Sequence, residues 1–397
     1  MKKIRNVIVL NLGSTSFKFK LFDFGAGEAV LATGEVESIG APSGAYSVTV
    51  GDKTEKGACV CPVHGDAFAL CVEKLIAGGA LSSLDELDAV GYKAVHCGAL
   101  KGAQLVTDDL IARQEQFCSF APAHNPIYIG MMKTVAERWP SLRQVAYFET
   151  SFHATIPEER VTYGVPYEWK ERYAVRRYGF HGSSHSYIAM KTAQLEPSAR
   201  RVISIHLGGS SSICAILDGE SVASSMGATP QSGLFHNNRV GDFDVFCLPA
   251  LVEKLGSLDA VMKKLSKESG FLGISGVSND LREVIAAAKA GNERAALAIR
   301  AFEDNIVGYI GTFTAYLGGL DAIAFTGGIG QHCFPVRDHV LSRLGWLGVA
   351  ADPAEKERTA DGKISAPDSK VAVYVLKTNE ELMVARKTVE YLEQQNA

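Results

Sequence analysis

The chain has little excess of charge of either sign: 40 Lys+Arg stand against 44 Asp+Glu, a formal net charge of −4 over 397 residues. Without a basic field it lacks the electrostatic means to hold nucleic acid or an anionic membrane. No apolar run approaches the roughly eighteen residues needed to cross a bilayer. The start, MKKIRNVIVLNLG, shows no small-residue cleavage site after its apolar stretch, so a cytoplasmic protein is expected. Eight cysteines in so long a chain make no disulfide framework, and buried thiols are expected instead. Cys59 and Cys61, one residue apart with no second pair at ligand spacing, read as the end of an alternating strand rather than a zinc site. The glycine stretch FTGGIG (325–330) matches neither the P-loop nor the Rossmann pattern, which disfavours both cofactor sites.

What is present is an ordinary globular composition, 47% apolar and 21% charged, in a length that suggests two or three domains. The chain also repeats itself. VIVLNLGSTSFKFKLFD (7–23) aligns without gaps on VISIHLGGSSSICAILD (202–218), with Val7/Val202, Ile8/Ile203, Leu12/Leu207, Gly13/Gly208, Ser16/Ser211 and Asp23/Asp218 identical. Each copy reads as a hairpin with a tight Gly/Ser turn. Recurring at half-chain spacing, the copies predict two related α/β domains facing one another across a cleft, with turn N–H groups and hydroxyls suited to phosphate oxygens. Helical patterning covers 65–77, 126–138, 184–195, 279–290, 292–317 and 379–394, with another helix from about Pro335, and strands alternate with these. The final helix is expected to fold back on the first half.

Chemistry-bearing residues concentrate in few places. RRYGFHGSSH (176–185) holds two arginines and two histidines; no Glu follows His181 as the zinc-protease pattern requires, so His181 reads as a loop donor to a phosphoryl group and His185 as structural. Arg239 lies in HNNRVGDFD, where a lone arginine is usually solvated. Glu149 follows the strand-like QVAYF, a position suited to facing a cleft. In TNEE, Asn379 or Thr378 fits a helix N-cap, and one of Glu380 and Glu381 serves the helix dipole. Lys93, in the apolar AVGYKAVH, needs a partner or an anion.

These motifs in this order, NLGSTSFKF, APAHNP, FETSFHATIP, RRYGFHGSSH, HLGGSSS, SMGATPQSGL, FLGISGVSNDLR, FTGGIG and TNEEL, resemble the acetate kinase family of acetate and propionate kinases almost end to end. The resemblance implies duplicated actin-like (ribonuclease H-like) α/β domains with an interdomain nucleotide cleft: 1–150 plus 380–397 as the N-terminal domain, and 151–379 as the C-terminal domain carrying the nucleotide site and a homodimer interface. It implies ATP-dependent, reversible phosphorylation of a short-chain carboxylate with Mg²⁺ or Mn²⁺. The alternatives are another phosphoryl donor such as pyrophosphate, a larger acid, or a non-catalytic nucleotide-binding relative. By the same resemblance the catalytic residues are His181, Arg239, Lys93 and Glu149. Asn11, Ser14, Ser16, Lys18, His206, Gly208, Gly209, Ser210, Asp280, Arg282, Gly328, Ile329 and Gly330 would bind ATP or ADP. Val95, Ala123, His124, Phe180 and Pro230 would receive the acid, and Asn11 and Glu380 the metal.

Several positions depart from the family pattern. Its catalytic arginine is Lys93 here and its catalytic aspartate is Glu149. Lysine offers a point charge in place of a planar fork, and glutamate carries its charge one methylene further. A shorter cation with a longer carboxylate would keep the combined reach if the two pair across the cleft. Ala123 replaces a pocket leucine, which predicts room for propionate or a larger acid. Gly208 to Ser210 replace G-N-G, removing an asparagine side chain near the phosphates, and Ala223 replaces an aspartate.

Overall fold

A computed structural model describes residues 3–395. The chain divides into two units, Met1–Ala154 with Asn379–Ala397, and Thr155–Thr378. In unit 1, β1 (Asn6–Leu12), β2 (Ser16–Asp23), β3 (Ala29–Glu37), β4 (Gly44–Val50), β5 (Lys53–Cys59), β6 (Ala89–Ala94), β7 (Gln104–Leu105) and β8 (Arg143–Phe148) form one sheet in the order β5-β4-β3-β2-β1-β6-β8-β7. β1 to β5 are an antiparallel meander, and β1, β6 and β8 run parallel.

The parallel strands read as continuous apolar runs because both sheet faces are covered. Alternate residues of β1 serve different cores: Ile8, Leu10 and Leu12 pack with Phe68, Tyr128 and Met132 from helices His64–Ala77 and Asn125–Arg138. Val7 and Val9 instead pack with Val384, Ala385 and Val389 of helix Glu380–Gln395, which therefore belongs to unit 1. Each such fully buried side chain contributes on the order of 1.5–3 kcal/mol relative to exposure.

Unit 2 holds β9 (Arg201–His206), β10 (Ser212–Leu217), β11 (Glu220–Ser224), β12 (Ala322–Thr326), β13 (Gly362–Lys363) and β14 (Ala372–Val375), ordered β11-β10-β9-β12-β14-β13. Strands β9, β12 and β14 are parallel. Helix Glu293–Leu317 lays Phe302, Ile306, Ile310 and Phe313 on Ile203, Ile205 and Phe325. The five-strand order β3-β2-β1-β6-β8 thus recurs as β11-β10-β9-β12-β14, the duplication that the repeated hairpins predict.

The two hairpins are not superimposable residue for residue. Six residues separate the paired Asn11 and Lys18, whereas five separate the paired His206 and Ser212. The ungapped match therefore slips by one position beyond the turn, and a slip of one reverses which face a side chain occupies.

Other differences are local. The helix expected from Ser184 starts at Gly182, because His181 in a left-handed backbone (φ 56°, ψ 31°) ends the preceding loop abruptly. FTGGIG leads directly into helix Gly327–His332 before Phe334–Ser342. All eight cysteines are free thiols, with Cys61, Cys71, Cys97 and Cys214 buried and Cys247 exposed. Among the described residues no helix is long and apolar enough to cross a membrane.

Candidate active site

In unit 1 the carboxyl ends of two parallel strands carry the charged residues. Lys93 lies opposite Tyr147 and Ala94 opposite Phe148, so Glu149 follows at the end of β8 beside the end of β6. Lys93 Nζ stands 3.7 Å from Glu149 Oε1 and 2.5 Å from Glu380 Oε2. Glu380 opens the last helix, whose Asn379 side chain accepts from the Leu382 N–H at 3.2 Å. Burial opposes the ammonium charge of Lys93, but Glu380 and then Glu149 outweigh it and hold its pKa above the ordinary lysine range. The expected Lys93–Glu149 pairing therefore exists inside unit 1, not across a cleft, because both residues come from adjoining strands of one sheet. Glu380, expected to serve the metal or the helix dipole, is the nearer partner.

Leu10 pairs with Tyr92, which puts Asn11 and Lys93 one residue further along adjoining strands. Buried Tyr128 stands behind them and accepts from the Leu12 N–H at 3.0 Å, its phenol pushed up to about 12 chiefly by burial. The β1–β2 turn is closed by Gly13 N–H to the Ser16 carbonyl at 2.9 Å. Ser14 is exposed, Ser16 half-buried, and Lys18 pairs with Glu35 at 3.3 Å. Asn11, Lys18 and Lys20 line a cavity of about 310 Å³ with Glu35 and Glu381.

In unit 2 a compact histidine group surrounds His181. Its ring stacks on His206 with centroids 4.4 Å apart and planes at 22°. His181 Nδ1 lies 2.8 Å from Ser212 Oγ, and Ser184 Oγ lies 2.8 Å from His206 Nδ1. His185, fully buried, lies 2.8 Å from both Ser212 Oγ and Ser204 Oγ.

The second Gly/Ser turn is held by its own hydroxyl: the Gly208 N–H donates to Ser211 Oγ at 3.2 Å, and the Ser211 N–H donates to His236 Nδ1 at 2.7 Å. Burial, followed by the charge of Arg239, depresses the His236 imidazole to about 3, so it is neutral. Arg239 Nη1 donates to Ser210 Oγ and to the Pro230 carbonyl, each at 3.2 Å. Among the described residues its guanidinium meets no carboxylate, and burial lowers its pKa. Arg239, which the resemblance makes catalytic although a lone arginine in such a stretch is usually solvated, is thus a partly buried cation reaching the second Gly/Ser turn. Ile329 and Gly330 N–H groups donate to the Leu207 carbonyl at 2.9 and 3.1 Å, tying FTGGIG to the same turn. Gly327, at φ +78°, has no room for a side chain: a Cβ would stand 2.4 Å from the Leu207 carbonyl oxygen. Gly328 leaves its surroundings open, and a Cβ at Gly209 would make only an ordinary contact with Asn237 Nδ2 at 3.7 Å.

The remaining expected residues are more dispersed. Asp280 caps helix Leu281–Lys289 through the Arg282 N–H at 2.8 Å, and the exposed Arg282 guanidinium returns to the Asp280 carboxylate. Half-buried Val95, exposed Ala123 and half-buried His124 belong to unit 1, while buried Phe180 and half-buried Pro230 belong to unit 2. Ala223 is buried in β11. Sequence reasoning missed Tyr128, Ser204, Ser212 and His236. All four act through hydrogen bonds between different elements, and only the HLGGSSS motif ending in Ser212 and the HNNR stretch beginning at His236 carried any signal.

The family model of the acetokinase family matches residues 6–386. The chain belongs to that family. It is 41% identical over 389 residues to the acetate kinase of Geobacillus sp. (strain WCH70), covering 96% of this chain and 98% of that one. It is 43% identical over 394 residues to the acetate kinase of Dictyoglomus turgidum, covering 96% of each. Among solved structures, Porphyromonas gingivalis acetate kinase superposes with a TM-score of 0.89 at 37% identity, covering 98% of this chain and all of that one. A propionate kinase from Francisella tularensis gives 0.89 at 32% identity, covering 96% and 98%. The family thus spans relatives named for two acids that differ by one methylene.

Proposed function

We propose that the protein transfers the γ-phosphoryl group of ATP to the carboxylate of a short-chain acid, forming an acyl phosphate and ADP, reversibly. A carboxylate oxygen bonds to the γ-phosphorus as the bond to the bridging oxygen of ADP breaks. Both reactants are anions, so the protein's contribution is alignment and positive charge where the migrating phosphoryl carries its negative charge. The observation that carries the reading is Arg239, a partly buried guanidinium that meets hydroxyl and carbonyl oxygens but no carboxylate among the described residues. A desolvated cation of this kind is matched by an anion, and the planar fork suits phosphoryl oxygens.

His181 supplies a ring N–H to the phosphoryl group, with His206 stacked on it. Gly209, Ser210 and Gly328 hold ATP phosphates and nucleotide through their backbone N–H groups, Gly208, Ile329 and Gly330 brace that surface through their own bonds to Ser211 and Leu207, and Ser14, Ser16 and Lys18 of the first turn serve the same ligand. Asp280 and Arg282 flank the adenosine. Val95, Ala123, His124, Phe180 and Pro230 receive the acid, where alanine at 123 favours propionate or a longer chain over acetate alone.

Lys93 is committed to Glu149 and Glu380, so its part is to fix those carboxylates. Glu149, Glu380 and Asn11 make an all-oxygen donor set. Among the described residues no three His, Cys, Asp or Glu form a metal-binding group. The oxygen donors fit Mg²⁺ or Mn²⁺ held by few protein oxygens together with substrate phosphates. When bound there through Glu380 and Asn11, the ion neutralises phosphate charge. Homodimerisation through the second domain and a cytoplasmic site of action belong to the same reading and rest on family membership.

The test is an acyl-phosphate assay by hydroxamate trapping over acids from acetate to hexanoate, with MgATP or pyrophosphate as donor. Product with MgATP, and activity on propionate comparable to that on acetate, is expected. MgATP binding by calorimetry without acyl phosphate from any acid, or product with pyrophosphate only, overturns the proposal.

A further inference from the structure

The histidine group of unit 2 has a hydrogen-bond direction that donor counting determines. Ser204 is fully buried, and among the described residues its hydroxyl makes one hydrogen bond, to His185 Nδ1 at 2.8 Å. Ser212 Oγ, also fully buried, makes two, to His185 Nε2 and His181 Nδ1, each at 2.8 Å. A serine hydroxyl has one proton to give, and a neutral imidazole has one donor and one acceptor nitrogen.

If His185 carried its proton on Nδ1, Ser204 would accept it and its own O–H would be a buried donor with no acceptor, an unfavourable state. With Ser204 donating, His185 Nδ1 accepts and His185 Nε2 carries the proton. Ser212 then accepts from His185 Nε2 and spends its one proton on His181 Nδ1. That leaves the proton of His181 on Nε2. A proton on Nδ1 of His181 would orphan one buried hydroxyl: that of Ser212 if it accepted from both rings, or that of Ser204 if every bond of the chain reversed. The ring orientation is set separately by the 4.4 Å stack on His206, itself held by Ser184.

We propose that Ser204, His185 and Ser212 are positioning residues forming a one-way hydrogen-bond relay that holds His181 as a neutral Nε2–H donor. What that donor serves, the migrating phosphoryl, rests on the function proposed above; the relay itself does not. His185, which reads from sequence as a structural residue, then has a part in turnover although it touches no substrate.

The experiment is histidine-selective ¹⁵N NMR of the full chain, wild type and the variants Ser204→Ala and Ser212→Ala, with kcat and KM for MgATP and propionate measured alongside. In the wild type His181 is expected as the Nε2–H tautomer. In Ser204→Ala and Ser212→Ala it should become a mixture of tautomers, with kcat lowered about five- to fiftyfold and both KM values within about threefold, since binding groups are untouched. Ser212→Thr, which keeps the hydroxyl, should restore the tautomer and most of kcat. A wild-type His181 protonated on Nδ1 overturns the relay even if every variant fails to fold, as does an unchanged tautomer in both alanine variants. If the wild type turns over no acid while the tautomer pattern is as expected, the relay stands and the assigned reaction falls.

Discussion

Restoring the family's residues at Lys93 and Glu149 should have effects that depend on each other. Glu149→Asp shortens the carboxylate by one methylene and draws it back from Lys93 Nζ, already 3.7 Å away. Lys93→Arg lengthens the cation and adds a fork, crowding Glu149 unless that carboxylate retreats. Each single change therefore disturbs the pair, and the double change re-matches reach to reach. At 3.7 Å and an effective dielectric of about 20, the gross attraction is about 4 kcal/mol. Desolvation and the nearer Glu380 reduce the part that depends on Glu149, leaving an expected coupling of about 1–3 kcal/mol. Measured as kcat/KM for acyl phosphate formation, the double variant should exceed the product of the two single effects by roughly five- to a hundredfold. Urea unfolding gives an independent cycle of the same sign. Additivity within about 0.5 kcal/mol in both cycles would refute the pairing argument.

Two further outcomes concern the second Gly/Ser turn. Arg239→Met removes a partly buried cation that meets no carboxylate among the described residues, so the fold should gain about 1 kcal/mol while turnover falls by at least about a hundredfold; loss of both stability and activity would contradict an anion-binding role. His236 is neutral in the folded protein until about pH 3 and protonates at 6.5 when exposed, so below pH 6.5 the unfolded chain binds a proton the folded one refuses. Stability attributable to this group therefore falls as pH falls from 6.5 towards 3, by about 1.4 kcal/mol per unit. His236→Gln, which keeps an acceptor for the Ser211 N–H, should remove that slope in urea unfolding between pH 6.5 and 5; a slope identical to wild type would refute it.

Much of the architecture was legible along the chain. Apolar runs such as NVIVLNL and RQVAYF predict strands covered on both faces, and the hairpins repeated at half-chain spacing predict the shared five-strand order. Site legibility was uneven: Lys93, Glu149 and Arg239 stood out because charge in apolar or glycine-rich surroundings demands an explanation. Ser204, Ser212 and Tyr128 did not, since a small hydroxyl or a phenol inside an apolar run is unremarkable until its partner is known.

The amino-acid order by itself determined which segments become strands and helices, the duplication, and the family, because periodicity and local motifs are properties of neighbours in the chain. Tertiary structure alone decided that Lys93 meets Glu380, nearly 290 residues further on, before Glu149. It also decided the one-residue difference between the two hairpin registers, the partial burial of Arg239 against Ser210 and the Pro230 carbonyl, and the direction of the His181 relay. Each of these depends on distances of a few ångströms between groups that the chain brings together only by folding, where burial makes every hydrogen bond and charge answer to its partner.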